Sequence, residues 1–262
     1  MRIALMDAGI GLLPTAAAVR RLRPDAGLVL SSDPDGMPWG PRAPEDITAR
    51  SLTIAEAAAA YRPHALIVAC NTATLHALPA LRARFEPGTP VIGTVPAVKP
   101  AAASGGPVAV WATPAASSSP QLHCLIRKFA QGVRVTTVPS PGLSDAVERA
   151  DEAAVEGAIA SAAERTPDDV RAVVLGCTHY ELVADRVRAA LQRPGEPPLA
   201  LHGPADAVAA QALRRIGVRS APPVTARGTL TVLLNGREAS LPSAVSAYAE
   251  GRTVAMVAGV RP

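Results

Sequence analysis

Short apolar runs closed by small or polar residues recur along the chain, at positions 3–6, 28–30, 65–69, 91–93, 108–111, 133–135, 172–175 and 199–201, each followed by a stretch of helical periodicity. Runs that are apolar at every position predict strands buried on both faces, and their alternation with helices predicts an α/β fold with parallel sheets. One helix is well marked: Pro44 sits in its first turn, Glu45 and Asp46 lie at its positive end, and Ile47, Ile54, Ala55, Ala58 and Tyr61 fall on one face. Residues 96–107 read as a helix and loop dividing two similar halves, and the prolines between 194 and 198 interrupt the pattern again. The tail is expected to hold a strand over 229–234 and a helix over 241–248.

A faint internal repeat sharpens this picture. Residues 64–72 (HALIVACNT) and 171–179 (RAVVLGCTH) share one plan, in which a buried strand is followed by a small residue, a cysteine, and hydrogen-bonding residues that open a helix. Residues 3–9 correspond loosely to 108–115 in the same way. Two α/β halves of related design place ligand chemistry at the carboxyl ends of their strands. Cys70 and Cys177 both fall there.

Composition mostly excludes. The 262 residues suffice for one large domain or two smaller ones. No run approaches the roughly 18 to 20 apolar residues of a membrane helix. The N-terminus meets Asp7 too early for a signal peptide, so the expected location is the cytoplasm. A net charge of +4, from 26 basic and 22 acidic residues, comes from arginines scattered among acids, and aromatics are only 3%, so neither a basic run nor a stacking platform marks a nucleic-acid partner. Only Lys99 and Lys128 could serve a pyridoxal-phosphate Schiff base, and neither setting recommends it. Three cysteines without a CxxC spacing indicate neither a disulfide framework nor a zinc finger.

A thiol at a strand end beside a helix N-terminus feels the positive end of the dipole and nearby amide donors, which favour the thiolate. If two such thiols face one carbon, one removes a proton while the other delivers a proton to the opposite face, which is two-base racemisation or epimerisation. The active form then carries one proton between them. The bland alternative is packing, the usual role of a lone strand-end cysteine. Two occurrences in matching contexts favour chemistry for Cys70 and Cys177, whereas Cys124 lacks that context and is read as structural. A metal site drawn from His123, Cys124, Cys177 and His179 has no finger-type spacing, so no metal is expected. Gly9-Ile10-Gly11 could start a dinucleotide loop, but position 14, where GxGxxG needs glycine, is Pro14. His64, His76 and His202 have no motif support, and Ser117-Ser118-Ser119 reads as a helix entry.

Residues 7–12 (DAGIGL), 38–42 (PWGPR), 70–73 (CNTA), 112–114 (ATP) and 176–180 (GCTHY), in this order along the chain, resemble the glutamate racemase branch of the aspartate/glutamate racemase superfamily. The resemblance implies two similar lobes, each a mainly parallel sheet flanked by helices, related by a pseudo-twofold with the active site in the cleft between them. The tail around Leu233-Leu234-Asn235-Gly236 resembles that family's final strand and helix, which implies a first lobe of residues 1–97 plus 210–262 and a second of 98–209. The implied activity is cofactor-independent interconversion of L- and D-glutamate, the D-isomer feeding peptidoglycan synthesis. It also implies a small amino acid as the only ligand class and a homodimer as the assembly. By motif position, Cys70 and Cys177 would be the acid/base pair, with Asp7 and His179 assisting. Asn71, Thr72 and Thr178 would bind substrate, together with Ala8, Trp39 and Gly40, and Glu148 falls where the family often carries a glutamate near the cleft. As ordinary structure, Asp7 would be a turn residue, His179 a cap, and Asn71, Thr72 and Thr178 helix caps, a role that does not exclude binding.

Three departures fall at that site. Where the family has Asp-Ser, this chain has Asp7-Ala8; Trp39 replaces the usual tyrosine; and Ala116 stands where a threonine is usual. These losses make the pocket less polar than a standard glutamate site. The alternatives are therefore a related racemase or epimerase with another amino-acid or secondary-metabolite substrate, and a non-catalytic binding or regulatory member of the fold. Retention of both cysteines argues against the last.

Overall fold

The computed structural model describes residues 1–220 and 228–256. Its strands are β1 (Arg2–Asp7), β2 (Gly27–Ser32), β3 (Ala65–Val68), β4 (Val91–Gly93), β5 (Val108–Ala112), β6 (Val135–Pro139), β7 (Ala172–Leu175), β8 (Ala200–His202), β9 (Leu230–Leu234) and β10 (Arg237–Glu238). Its α-helices are α1 (Leu13–Leu22), α2 (Pro44–Ala59), α3 (Asn71–Phe85), α4 (Val98–Ala103), α5 (Pro114–Ser117), α6 (Pro120–Phe129), α7 (Leu143–Arg149), α8 (Glu152–Glu164), α9 (Ala184–Leu191), α10 (Ala205–Arg215) and α11 (Ala249–Ala255). Among the described residues no helix is long and apolar enough to cross a membrane. The chain divides into two compact units, Met1–Thr94 with Ala205–Pro262, and Val95–Pro204.

The first unit is built on a sheet of order β10-β9-β2-β1-β3-β4, parallel throughout except for β10. Every residue of β2 and β3 is buried, so β3 and Leu28–Leu30 of β2 are apolar without alternation, while Ser31 is accommodated by donating its hydroxyl to Ile54 O (2.8 Å). On α2, Ile47, Ile54, Ala55 and Ala58 are buried, as its periodicity predicts. The expected tail strand is β9, laid parallel to β2 from Leu28 beside Leu230 to Ser32 beside Leu234. It turns into β10 through Asn235 and Gly236 at φ of 52° and 78°, two positive values in succession, as a tight type I′ hairpin demands and as an Asn-Gly pair supplies most cheaply. The helix expected over 241–248 is instead a 3-10 turn, Ser243–Ala247, followed by α11. Gly251 explains the placement: a β-carbon there would lie 2.0 Å from the Val245 carbonyl oxygen, so the first turns of α11 press against the 3-10 segment.

Arg20 on α1 joins the tail to the start of the unit. Only 5% exposed, it donates to the carbonyls of Ala26 (2.6 Å), Pro24, Gly228 (both 3.3 Å) and Thr229 (3.3 Å). Replacing it with alanine strands the buried Ala26 carbonyl and removes the ties to the other three. Arg20→Ala is expected to lower unfolding stability by about 2–4 kcal/mol, read as a lower urea midpoint at constant slope; an unchanged midpoint would show that water satisfies those carbonyls.

The second unit carries a sheet of order β6-β5-β7-β8, parallel throughout. Val98, Val108, Val110, Leu122 and Val174 form a core on one face. Ser119 caps α6 by accepting from Leu122 N–H (3.2 Å), as a helix entry should. The strand expected over 133–135 begins later, at Val135. Gly132 at φ 77° and the Val133 N–H bond to Ala130 O (3.1 Å) spend residues 130–133 on a turn, and β6 continues through Thr136 and Thr137, polar positions that an apolar run does not reveal.

Candidate active site

In the first unit the chemistry collects at the carboxyl ends of neighbouring strands. β1 ends in Asp7, 1% exposed, and β3 runs on through Ala69, whose N–H donates to Met6 O (2.8 Å), to Cys70. Cys70 is 7% exposed, holds extended backbone, and is the N-cap of the long helix α3, so its thiol stands at the positive end of that dipole. Its carbonyl accepts from Thr74 N–H (2.9 Å) to start the helix. Asn71 and Thr72, the first two residues of α3, are half-buried. The Asp7 carboxylate accepts from Ala8 N–H (2.6 Å). Ala8 and Trp39 are buried in the same apolar cluster as Cys70, while Gly40 next to the indole is exposed.

The second unit repeats the arrangement on its own sheet. Cys177 follows β7, an inner strand like β3, after one small residue. That residue must be glycine: a β-carbon at Gly176 would lie 2.6 Å from Trp111 O, to which Gly176 N–H already donates at 2.7 Å. Cys177 then caps a 3-10 turn, Thr178–Val183, that feeds α9, so a tight turn stands where a regular helix was expected to open. The turn brings His179 back beside the thiol, with Nδ1 3.8 Å from Sγ. The other ring nitrogen, Nε2, lies 2.9 Å from the Glu148 carboxylate on α7. With Glu148 accepting from Nε2–H, Nδ1 is left as the acceptor that faces the thiol. His179 is nearly buried and the Glu148 side chain about one-fifth exposed. Thr178 is buried, and Tyr180 fixes the turn by donating its hydroxyl to Ser140 O (3.1 Å). Burial, with Cys177 and Asp145 nearby, holds the Tyr180 phenol far above its ordinary range, so it remains a neutral donor.

The residues singled out from sequence thus gather into two groups, Asp7, Ala8, Trp39, Asn71 and Thr72 around Cys70, and Glu148, Thr178 and His179 around Cys177. Glu148 is placed on the histidine. Ala116 is half-buried in α5, and His123 and Cys124 are exposed on α6. Among the described residues no group of three or more His, Cys, Asp or Glu side chains is arranged to hold a metal ion. Sequence reasoning missed Asp33 and Arg50, which hold Trp39: the indole N–H donates to Asp33 Oδ2 (3.0 Å), and Arg50 Nη1 donates to the same oxygen (3.0 Å). The one local signal was an acid directly after a strand end, a common turn feature with no chemistry of its own.

A family model described as Asp/Glu/hydantoin racemase matches residues 14–221. The chain belongs to this family. Relatives include the glutamate racemase of Roseiflexus sp., 40% identical over 71% of this chain and 70% of its own, and that of Granulibacter bethesdensis, 38% identical over 81% and 77%. Among solved structures, Escherichia coli glutamate racemase in complex with L-glutamate and the activator UDP-MurNAc-ala superposes with a TM-score of 0.78 over 94% of this chain and 91% of that one, at 24% identity, a likeness of fold. Thermus thermophilus glutamate racemase in complex with β-chloro-D-alanine gives 0.65 over 99% and 95% at 27% identity. Both strand–cysteine–turn units, around Cys70 and Cys177, lie within the matched residues.

Proposed function

We propose that this chain is a cofactor-independent amino-acid racemase that interconverts L- and D-glutamate, with Cys70 and Cys177 as the two acid/base residues, and that it supplies D-glutamate for peptidoglycan. The observation that carries the reading is the doubling itself: in each unit a cysteine ends an inner parallel strand and caps the following turn beside a polar partner, Asp7 in one and the His179–Glu148 pair in the other. Kinship to proteins named glutamate racemase supports the substrate.

In this reading one cysteine acts as thiolate. Its sulfur takes the α-proton, the C–H electron pair moves into the carboxylate-stabilised carbanion, and the opposite thiol gives its proton to the other face of the α-carbon. Atoms and charge balance, and the enzyme is left with the proton on the other sulfur, poised for the reverse reaction. Asn71, Thr72 and Thr178, with the amides of the turns they open, suit the carboxylate and amino group of the substrate. Pro38 and Pro41 lack N–H groups, so Trp39 and Gly40 supply the main-chain donors of the 38–41 segment for the distal carboxylate.

The test is incubation of the protein with an amino-acid panel in deuterated water, followed by chiral chromatography and mass spectrometry. Glutamate of either hand should become racemic and carry deuterium at Cα; a panel in which no amino acid exchanges or inverts would sink the reading. A second reading, a racemase for a less polar amino acid, is favoured by the burial of Ala8 and Trp39 in the apolar cluster around Cys70. Ala8→Ser is expected to raise kcat/KM on glutamate by about 2- to 10-fold, the worth of one restored hydrogen bond, and no change would count against an effect of that position on specificity.

A further inference from the structure

The indole of Trp39 is 2% exposed, and its single donor is consumed by Asp33. Indole has no acceptor, so a ring held this way presents only apolar surface. Asp33, itself 5% exposed, is the node of the loop that joins β2 to α2. Its N–H donates to Ala8 O (3.1 Å), next to the end of β1. Its carboxylate takes the indole N–H and two bonds from Arg50 Nη1, at 3.0 Å to Oδ2 and 3.4 Å to Oδ1. That carboxylate lies flat against the backbone of the loop: a β-carbon on Gly36 would fall 1.9 Å from Asp33 Oδ2 and 2.6 Å from Arg50 Nη1. Arg50 is braced in turn by Asp46 (3.2 Å), and Asp46 by Arg42 (2.9 Å), which reaches back to Gly36 O. The hydrogen bond to Asp33 also raises Arg50 above the ordinary guanidinium range, so its charge is firm. From the far side, Asn235 Oδ1 accepts from Asp35 N–H (3.3 Å).

We propose that Asp33, clamped by Arg50, is a positioning residue that fixes Trp39 within the buried apolar cluster that also holds Ala8 and Cys70, and thereby sets which amino-acid side chain this protein accepts. The inference rests on the racemase reading and adds to it a device for selectivity outside the acid/base machinery. With the ring fixed, the cluster that holds Cys70 gains a rigid apolar member whose one side-chain donor is already taken. A substrate with a distal carboxylate must then be met by the main chain of Trp39 and Gly40, whose placement the same clamp determines. Freeing the ring disorders this segment and weakens binding of the distal group. It leaves the thiols on their strands.

The experiment compares Asp33→Ala, Asp33→Asn and Arg50→Gln with the parent protein, each checked for native circular dichroism, by measuring kcat and KM for glutamate, aspartate and glutamine. Asp33→Ala is expected to raise KM for glutamate by roughly ten- to hundredfold, the loss of hydrogen bonds to a buried charged group, while kcat stays within about threefold. Asparagine keeps an acceptor for the indole, so Asp33→Asn should recover most of the loss. A Trp111→Phe background leaves Trp39 as the sole tryptophan, and there Asp33→Ala should red-shift its emission and increase acrylamide quenching. Unchanged KM, or a fall in kcat at constant KM, overturns the proposal, as does emission that does not respond. If Asp33→Ala does not fold, Asp33→Asn and Arg50→Gln carry the same kinetic and fluorescence tests. Failure of the racemase reading is seen separately, as a parent protein that exchanges no α-proton.

Discussion

Cys70→Ser is expected to slow glutamate racemisation by about 10²- to 10⁴-fold, yet to leave α-proton exchange with solvent running for one enantiomer; Cys177→Ser should do the same for the other enantiomer. The asymmetry is what separates a two-base mechanism from a one-base one. With one thiol removed, the remaining thiolate can still take the proton from the face it addresses, exchange it with solvent, and return a deuteron to that face, so label enters without inversion. Serine is nearly the size of cysteine, and Cys70 is 7% exposed, so the substitution leaves the packing intact. Each variant is followed in deuterated water with L- and D-glutamate separately. Both variants exchanging the same enantiomer, or either racemising at the parental rate, would refute the assignment.

The second large effect is expected at His179. Its Nδ1 faces Cys177 Sγ at 3.8 Å and its Nε2 is held by Glu148 at 2.9 Å, so the ring is tautomerically fixed to receive the thiol proton. His179→Asn should lower kcat about 10²-fold, and Glu148→Gln, which keeps a hydrogen-bond partner and loses the charge, about tenfold. Because L- and D-glutamate have equal free energies in water, kcat/KM must fall by the same factor in both directions. Any asymmetry must show in kcat and KM separately. Exchange with deuterated water provides the second readout, since exchange of the enantiomer that Cys177 addresses should slow in both variants while exchange of the other is spared. A His179→Asn variant with parental kcat and parental exchange would demote the histidine to packing.

Much of this was legible in the chain because the relevant physics is local. Strands β1, β2, β3, β4, β5, β7, β8 and β9 coincide within a residue or two with runs in the sequence, most plainly β3, β5 and β7, which are buried and apolar at every position. The strand-end cysteines were legible for the same reason, as Cys70 follows its run directly and Cys177 follows its own after one glycine. What escaped depends on contacts between distant positions or on polar edge residues. β6 sits at a sheet edge, where Thr136 and Thr137 are tolerated half-buried. Glu148 was reached through a resemblance, for nothing in its own helix announces a histidine 31 positions later. Asp33 and Arg50 were invisible because each is ordinary where it stands: an acid in a turn and an arginine on a solvent-side helix position. Only the fold puts Asp33 on the indole and Arg50 on Asp33.

The order of assembly follows from the place of β9. This strand closes the open edge of β2, yet it is synthesised roughly 200 residues later, about 10–40 s at ordinary elongation rates, after the whole second unit has been synthesised. The nascent first unit must therefore wait with one edge of β2 open, with Leu233 missing from its core, and without Asn235 to hold the loop that carries Trp39. The contiguous second unit can fold first, from residue 95 to 204, with its own thiol already set. An exposed strand edge invites wrong partners for as long as it lasts. Slowing or arresting synthesis between positions 204 and 230 should therefore leave a protein whose Cys177 turn is native and whose Trp39 loop is not.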